Sequence, residues 1–303
     1  MIQLEFVTKP IELQQQIVNE YYKSLIKGRR HSFLLELDKW CEMNLGHLLT
    51  NTNQPMREFD YFEQIVKADY EKINMVQQYM KNNRIILPHK LAKYMRGTLY
   101  NSIDKKMFAQ RLKVSVCPYC NRSFINTGSK GGNYQLDHFW NKSDYPVWAV
   151  SFYNLIPVCA SCNYKKLKAD FKHSPYDSQI KTDEIIRFTY VPKSIDFLLN
   201  EESMEIKLEY LADEFIKEDM EILEMEMLYQ IHKDRVIELF KQRIIYDENY
   251  IEQIKQGYPE LFEKEGDIER LITGAYIDER EYGKRPLSKF IADISKEIGL
   301  IGV

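Results

Sequence analysis

Long hydrophobic runs are missing from this chain. No stretch approaches the ~18 consecutive apolar residues of a membrane-crossing helix, and the opening MIQLEFVTKP lacks the basic flank, apolar stretch and small-residue cleavage site of a secretory signal. The expectation is a soluble, cytoplasmic protein with no membrane partner. Internal repeats and low-complexity tracts are also absent, which excludes repeat architectures. Cysteine is scarce, with five among 303 residues, but four of them fall as two C-x-x-C pairs, Cys117/Cys120 and Cys159/Cys162, while Cys41 stands alone. In a reducing compartment such pairs read as metal ligands before disulfides. Glutamate is absent between Arg111 and His173, where nine basic side chains face three aspartates for a net +6. The whole chain carries −3, so the remainder carries −9. A basic patch around the cysteines suits a polyanion such as nucleic acid; the alternative is a solvated surface whose charges balance elsewhere.

What is present supports a folded core, since 44% of residues are hydrophobic and 13% aromatic. Residues 1–110 read as a helical N-terminal region. PIELQQQIVNEYYKSLIK spaces Ile11, Leu13, Ile17, Tyr21, Leu25 and Ile26 at helical intervals behind Pro10, and further helices are expected at 32–47, 57–82 and 88–110, with NTNQP at 51–55 as a polar break. From 111 to 175 the texture changes to glycine, proline, aromatics and the paired cysteines, the mark of a compact metal-organised module. In the C-terminal region, 176–303, EIIRFTYV and MEIKLEYL alternate like half-buried strands and predict an antiparallel pair near 184–211. Long amphipathic helices are expected over 212–256, with a closing helix, PLSKFIADISKEIGLI, begun by Pro286. Eleven acids against Lys207 and Lys217 in 201–226 read as the wet face of a helix, or as a partner surface. The fold class expected is mainly α with a small α+β insert.

The cysteine pairs are separated by thirty-eight residues and supply four thiolates. That is the complement that closes a tetrahedral zinc site with no open position, so the zinc would be structural. The clasp would force the intervening segment into a loop whose ends meet. Within it YQLDHF reads as one strand, NLIPVC as a second, and ASCNYKKLKADF as a helix, with Asp137 and His138 facing the helix start.

These residues resemble the HNH endonuclease family, in its zinc-clasped branch of the ββα-metal nucleases. CPYC, LDHF, NLIPVC and CASCNYKK stand in the order and spacing of that family's pattern, over about fifty residues; the last position is Asn163 where many members have histidine. DHFWNKSDYPVWAVSFYNLIPVCASCNYKK, with the later HSPYD and RPLSKFIADI, is similar more narrowly to HNH proteins of Septu-type antiphage systems. That likeness implies a defence role and an ATPase subunit as partner. The family implies a phosphodiester hydrolase, with DNA favoured and RNA, such as a transfer RNA, the alternative.

Such hydrolysis needs a nucleophilic water, a base and positive charge on the phosphate. His138, neutral at physiological pH with an ordinary value of about 6.5, suits the base. Successive strand side chains point to opposite faces, so Asp137 is expected on a divalent cation, magnesium or manganese, with Asn163 as its second oxygen ligand. By family analogy Asn154 fixes the histidine ring by hydrogen bonding, through its backbone. Lys165 and Lys166, within a turn of Asn163, could hold a phosphate, and Arg122, Lys142 and Lys168 could track the nucleic-acid backbone, with Ser143 beside Lys142 as a loop contact. The competing reading is a non-catalytic zinc module that binds nucleic acid or protein; in it His138 is a surface histidine and Asn163 a helix cap. His31, His47, His89, His173 and His232, with Cys41, read as structural or surface residues.

Overall fold

Helix boundaries follow from caps and apolar stripes. The computed structural model describes residues 1–29, 31–49, 59–128, 131–212, 214–264 and 266–302, leaving the side chain of His31 aside. The polar break at 51–55 and Lys130 lie outside the described residues. Helix α1 (Ile11–Ile26) starts after Pro10 and buries Ile17, Val18, Tyr21, Tyr22 and Leu25, one stripe at helical spacing. It is followed by α2 (His31–Leu49), α3 (Asp60–Lys67) and α4 (Tyr70–Asn82). The single helix expected over 57–82 is thus two. The Asp69 carboxylate accepts the backbone N–H of Lys72 at 2.8 Å, which starts a new helix there. Next come α5 (His89–Tyr94), which runs into a π-turn at Met95–Leu99, and α6 (Lys105–Leu112), whose first turn is capped by Asp104 on the Met107 N–H at 2.9 Å.

The strands among the described residues form three two-stranded antiparallel sheets. A short ladder joins β1 (Thr127–Gly128) to β2 (Gly131–Gly132). Strands β3 (Tyr134–His138) and β4 (Leu155–Cys159) pair with Asp137 opposite Ile156 and His138 opposite Leu155, and α7 (Ala160–Lys166) follows at once. After α8 (Thr182–Ile185), β5 (Ile186–Pro192) pairs with β6 (Met204–Tyr210), the pair expected from alternation. The long helices expected over 212–256 are shorter: α9 (Glu214–Ile222), α10 (Met225–Tyr229), α11 (Lys233–Ile245) and α12 (Glu248–Gly257). A left-handed Glu224, φ 53°, separates the first two, and Asp247 caps the last. The chain ends with α13 (Asp267–Thr273) and α14 (Ser288–Glu297). Helix α14 begins two residues after Pro286, because Leu287 is left-handed at φ 63° and donates its N–H to Asn121 at 2.6 Å.

Buried side chains from all three regions join in one continuous cluster. Phe6, Tyr21 and Phe108 pack with Phe152 at ring separations of 5.1 to 5.5 Å, a scale at which aromatic pairs contribute beyond their burial. Buried polar tethers join the same parts: Tyr21 Oη donates to Val150 O at 2.8 Å, Trp148 Nε1 to Gln77 Oε1 at 2.7 Å, and Ser151 Oγ to Ile65 O at 2.8 Å. The 111–175 segment therefore sits on the N-terminal helices rather than beside them. Among the described residues no helix is long and apolar enough to cross a membrane.

A buried charged cluster ties α14 to α8 and β5. Buried Lys289 reaches Asp183 at 2.7 Å and Asp293 at 2.8 Å, and Asp293 also accepts the Phe188 N–H at 2.8 Å. Burial lifts the Asp293 carboxyl to about 6 against the pull of Lys289, so the folded chain holds that proton more tightly than the unfolded chain, whose value is 3.8. The sign follows: this group favours folding as pH falls through 6 towards 3.8 and opposes it above 6, by about 3 kcal/mol in all. Urea denaturation of Asp293→Asn is therefore expected to gain on the wild type as pH rises from about 4 to about 7. A pH-independent difference between the two proteins would remove this assignment.

Candidate functional site

The four paired cysteines converge. All are buried and free, and their sulfur atoms lie within 4.8 Å of one another, a cluster that could hold a metal ion such as zinc. Cys120 Sγ and Cys159 Sγ are 4.0 Å apart, against about 3.8 Å for the edge of a tetrahedron with zinc–sulfur bonds near 2.3 Å. Two backbone N–H groups point at sulfur, Cys159 N to Cys117 Sγ at 3.3 Å and Arg122 N to Cys120 Sγ at 3.4 Å, as thiolates require. Without a cation, burial pushes the Cys117 thiol well above its usual range. A divalent ion reverses that preference by favouring the thiolate. Cys41 is buried elsewhere in the core.

Asn121, directly after the first pair, does work that its sequence context did not signal. It sits at φ 50°, a left-handed position asparagine tolerates. Its side chain donates to Tyr282 O at 2.9 Å and accepts the Lys289 N–H at 3.1 Å. Tyr229 Oη adds a 2.7 Å bond to Cys120 O, and Ile2 N one of 2.7 Å to Pro118 O. The cysteine turn is thus bonded to both ends of the chain.

Asp137 and His138 occupy the last two positions of β3 and are both buried. His138 Nε2 lies 3.0 Å from Ala149 O. A carbonyl only accepts, so Nε2 carries the hydrogen and Nδ1 keeps its lone pair. Burial first, then the Lys142 ammonium, push this imidazole down to about 3, so it is neutral at pH 7. The Asp137 carboxylate accepts Tyr119 Oη at 2.7 Å and pairs with Lys166 Nζ at 3.2 Å, both on Oδ2. Burial raises this carboxyl, and the Lys166 ammonium and Tyr119 hydroxyl pull against it.

Asn154 does not touch the histidine ring. Fully buried, it accepts the Trp140 N–H at 2.7 Å and donates to Trp140 O at 3.0 Å and Trp148 O at 2.9 Å. It closes the loop from 139 to 153, and that loop presents the Ala149 carbonyl to His138. Asn163 is half-buried on α7, its Nδ2 donating to Gln135 Oε1, which leaves the amide oxygen for another partner.

Of the lysines expected on phosphate, Lys166 needs correction. It is 1% exposed, and its ammonium donates to His138 O at 3.0 Å and Phe139 O at 3.3 Å besides pairing with Asp137. It holds the end of β3 and cannot reach a strand of nucleic acid. Lys165 pairs with Glu224 across the module boundary, and Arg122 donates to His232 Nε2 at 3.2 Å over the Tyr229 ring. Lys168 is exposed, and Lys142 half-buried with Ser143 exposed beside it. The acidic stretch 201–226 is likewise more than one wet helix face: it runs through β6, α9 and α10. Its Asp219 is buried on the backbone of Lys172 and His173.

Asp137, His138, Lys142 and Asn163 line one half-open cavity of about 390 Å³ with Tyr100 and Lys105. The last two come from the N-terminal helices and were not foreseen. A larger cavity of about 660 Å³ beside α1 has neither histidine nor cysteine in its lining, and its lysines are paired with Glu5 and Glu63.

Comparison with protein-family models, curated proteins and solved structures finds no match in any of the three. What the geometry itself defines is a mainly helical protein with small two-stranded sheets and a four-cysteine cluster that could hold a metal ion.

Proposed function

We propose that this chain is a metal-dependent HNH-type endonuclease that hydrolyses phosphodiester bonds in nucleic acid, with DNA the favoured substrate. The observation that carries the reading is His138: buried, neutral, its tautomer set by the Ala149 carbonyl, and lining one cavity with a carboxylate and Asn163. The supporting frame is a β-hairpin and helix closed by four cysteines, which suit a structural zinc. The resemblance of the motifs extends the reading to the nuclease effector of an antiphage system acting with an ATPase subunit.

His138 Nδ1 takes the proton of the attacking water, while Nε2 stays on Ala149. Asn154 maintains that contact by closing the loop. Asp137 and Asn163 supply one carboxylate and one amide oxygen, a hard donor set that suits magnesium or manganese. With Lys166 and Tyr119 both on Oδ2, the carboxylate is held in one orientation. A divalent cation bound there would offset phosphate charge.

The test incubates the purified protein, alone and with its ATPase partner, with duplex DNA and with total RNA in magnesium or manganese. Cleavage that requires added magnesium or manganese and is lost in His138→Ala is the expected result, and the substrate cut decides between DNA and RNA. A wild type that cuts neither, with the partner present, leaves the non-catalytic zinc module as the reading.

A further inference from the structure

We infer that Lys105 and Lys142, stacked on Tyr100, form a clamp for a backbone phosphate of the nucleic acid beside the cleaved bond. The inference rests on the nuclease reading and names how that site grips its substrate.

Lys142 Nζ lies 3.7 Å and Lys105 Nζ 5.1 Å from the centroid of the Tyr100 ring, which also neighbours the His138 ring at 4.7 Å. Cation–ring contacts orient the ammonium groups without neutralising them. Neither lysine has a carboxylate within ion-pair distance among the described residues. Asp137 and Asp104 are engaged elsewhere: Asp137 holds Lys166 and Tyr119, and Asp104 caps α6. Two other cations of the basic segment are paired instead, Arg111 with Glu20 and Lys165 with Glu224. This wall of the cavity therefore keeps unbalanced positive charge. Burial first, then Lys105 and Arg96, lower the Lys142 ammonium from its ordinary range, a repulsion that an anion would relieve.

The wall is also held in place. Tyr100 Oη donates to Leu136 O at 3.2 Å, and Tyr134 Oη donates to Lys105 O at 2.7 Å. Two tyrosines thereby bond the chain at Tyr100 and the start of α6 to β3, the strand that carries His138. A phosphate between the two ammonium groups would lie within the cavity that Asp137, His138 and Asn163 line. The N-terminal region is then part of the substrate site, and the hairpin and helix alone are not the whole of it.

The test uses the zinc-loaded full chain carrying His138→Ala, so that binding is read without cleavage, and fluorescein-labelled DNA duplex and single strand, and RNA, over a salt series. Lys105→Ala is expected to weaken binding of the substrate class about tenfold and to reduce the slope of log K against log salt by about 0.9 for duplex or 0.7 for single strand. Adding Lys142→Ala is expected to weaken binding further with little more loss of slope, since both lysines hold one phosphate, and Lys105→Arg to restore the slope. Lys106→Ala, half-buried on the same helix but outside the cavity, serves as the unchanged control. Lys105→Ala with wild-type affinity and slope overturns the clamp, even where the wild type cuts normally. Equal cleavage by wild type and His138→Ala sinks the nuclease reading instead, while the binding series still decides the clamp.

Discussion

Stripping the metal from the four-cysteine cluster is expected to unfold the protein, with one zinc per chain lost and the far-UV helical signal collapsing with it. The binding free energy of a structural zinc is about 10–16 kcal/mol. A domain of ordinary stability keeps only about 5–15 kcal/mol in reserve, so the first number consumes the second. The topology makes the loss global. Cys117 N donates to Ser123 O and Asn121 N to Cys117 O, so the cysteine turn is itself backbone-bonded, and Asn121, Cys120 and Pro118 carry the bonds to α14, Tyr229 and Ile2. Cys117→Ser is expected to be as severe as chelation, because that sulfur is fully buried and accepts the Cys159 N–H. Cys41→Ala should keep its zinc and cost about 1 kcal/mol. Elemental analysis and circular dichroism across the three samples decide the matter. A native protein without zinc, or a chelated one with an unchanged unfolding midpoint, refutes the metal assignment.

The cluster was legible because two C-x-x-C pairs constrain each other: each is a tight turn, and one shared ion would satisfy both. Both sheet pairs of any length were legible for a similar reason, since YQLDH, IRFTYVP and MEIKLEY alternate with period two and LIPVC is a short apolar run, buried throughout. Helix ends were less so. Asp69 sits inside an uninterrupted helical pattern, and only its carboxylate on Lys72 N–H announces the break. Lys166 was misread because helical spacing gives direction and not depth: one turn from Asn163 puts it near the site, but burial turns its ammonium to the backbone of His138 and Phe139. Tyr100 and Lys105 lie more than thirty residues before His138, beyond a π-turn, and two tyrosine hydroxyls on β3 and α6 bring them in. No local pattern encodes such a contact. The Ala149 carbonyl is the extreme case, since a backbone atom in a loop has no identity in the sequence, and Asn154 was visible only as a conspicuous asparagine before an apolar strand.

His138→Ala is expected to lower nucleic-acid cleavage by on the order of 10²–10⁴-fold, the usual contribution of a positioned general base, while zinc content and helical signal stay at the wild-type level. The ring is a small part of the core, and its loss leaves Ala149 O as the one acceptor without its partner. The residual rate reflects what Asp137, Asn163 and the lysines still do. At about 3 His138 would be a weak base, and burial is the first cause of that depression and Lys142 the second. A phosphate bound against Lys142 cancels that charge, so the substrate itself moves the imidazole back towards a useful value. Lys142→Met should therefore weaken substrate binding yet cost less in the rate of the bound complex than His138→Ala does. Single-turnover cleavage at saturating protein separates the two effects. A bound-complex rate that falls as far in Lys142→Met as in His138→Ala would mean that the lysine takes part in the chemistry, and this division of labour would fail.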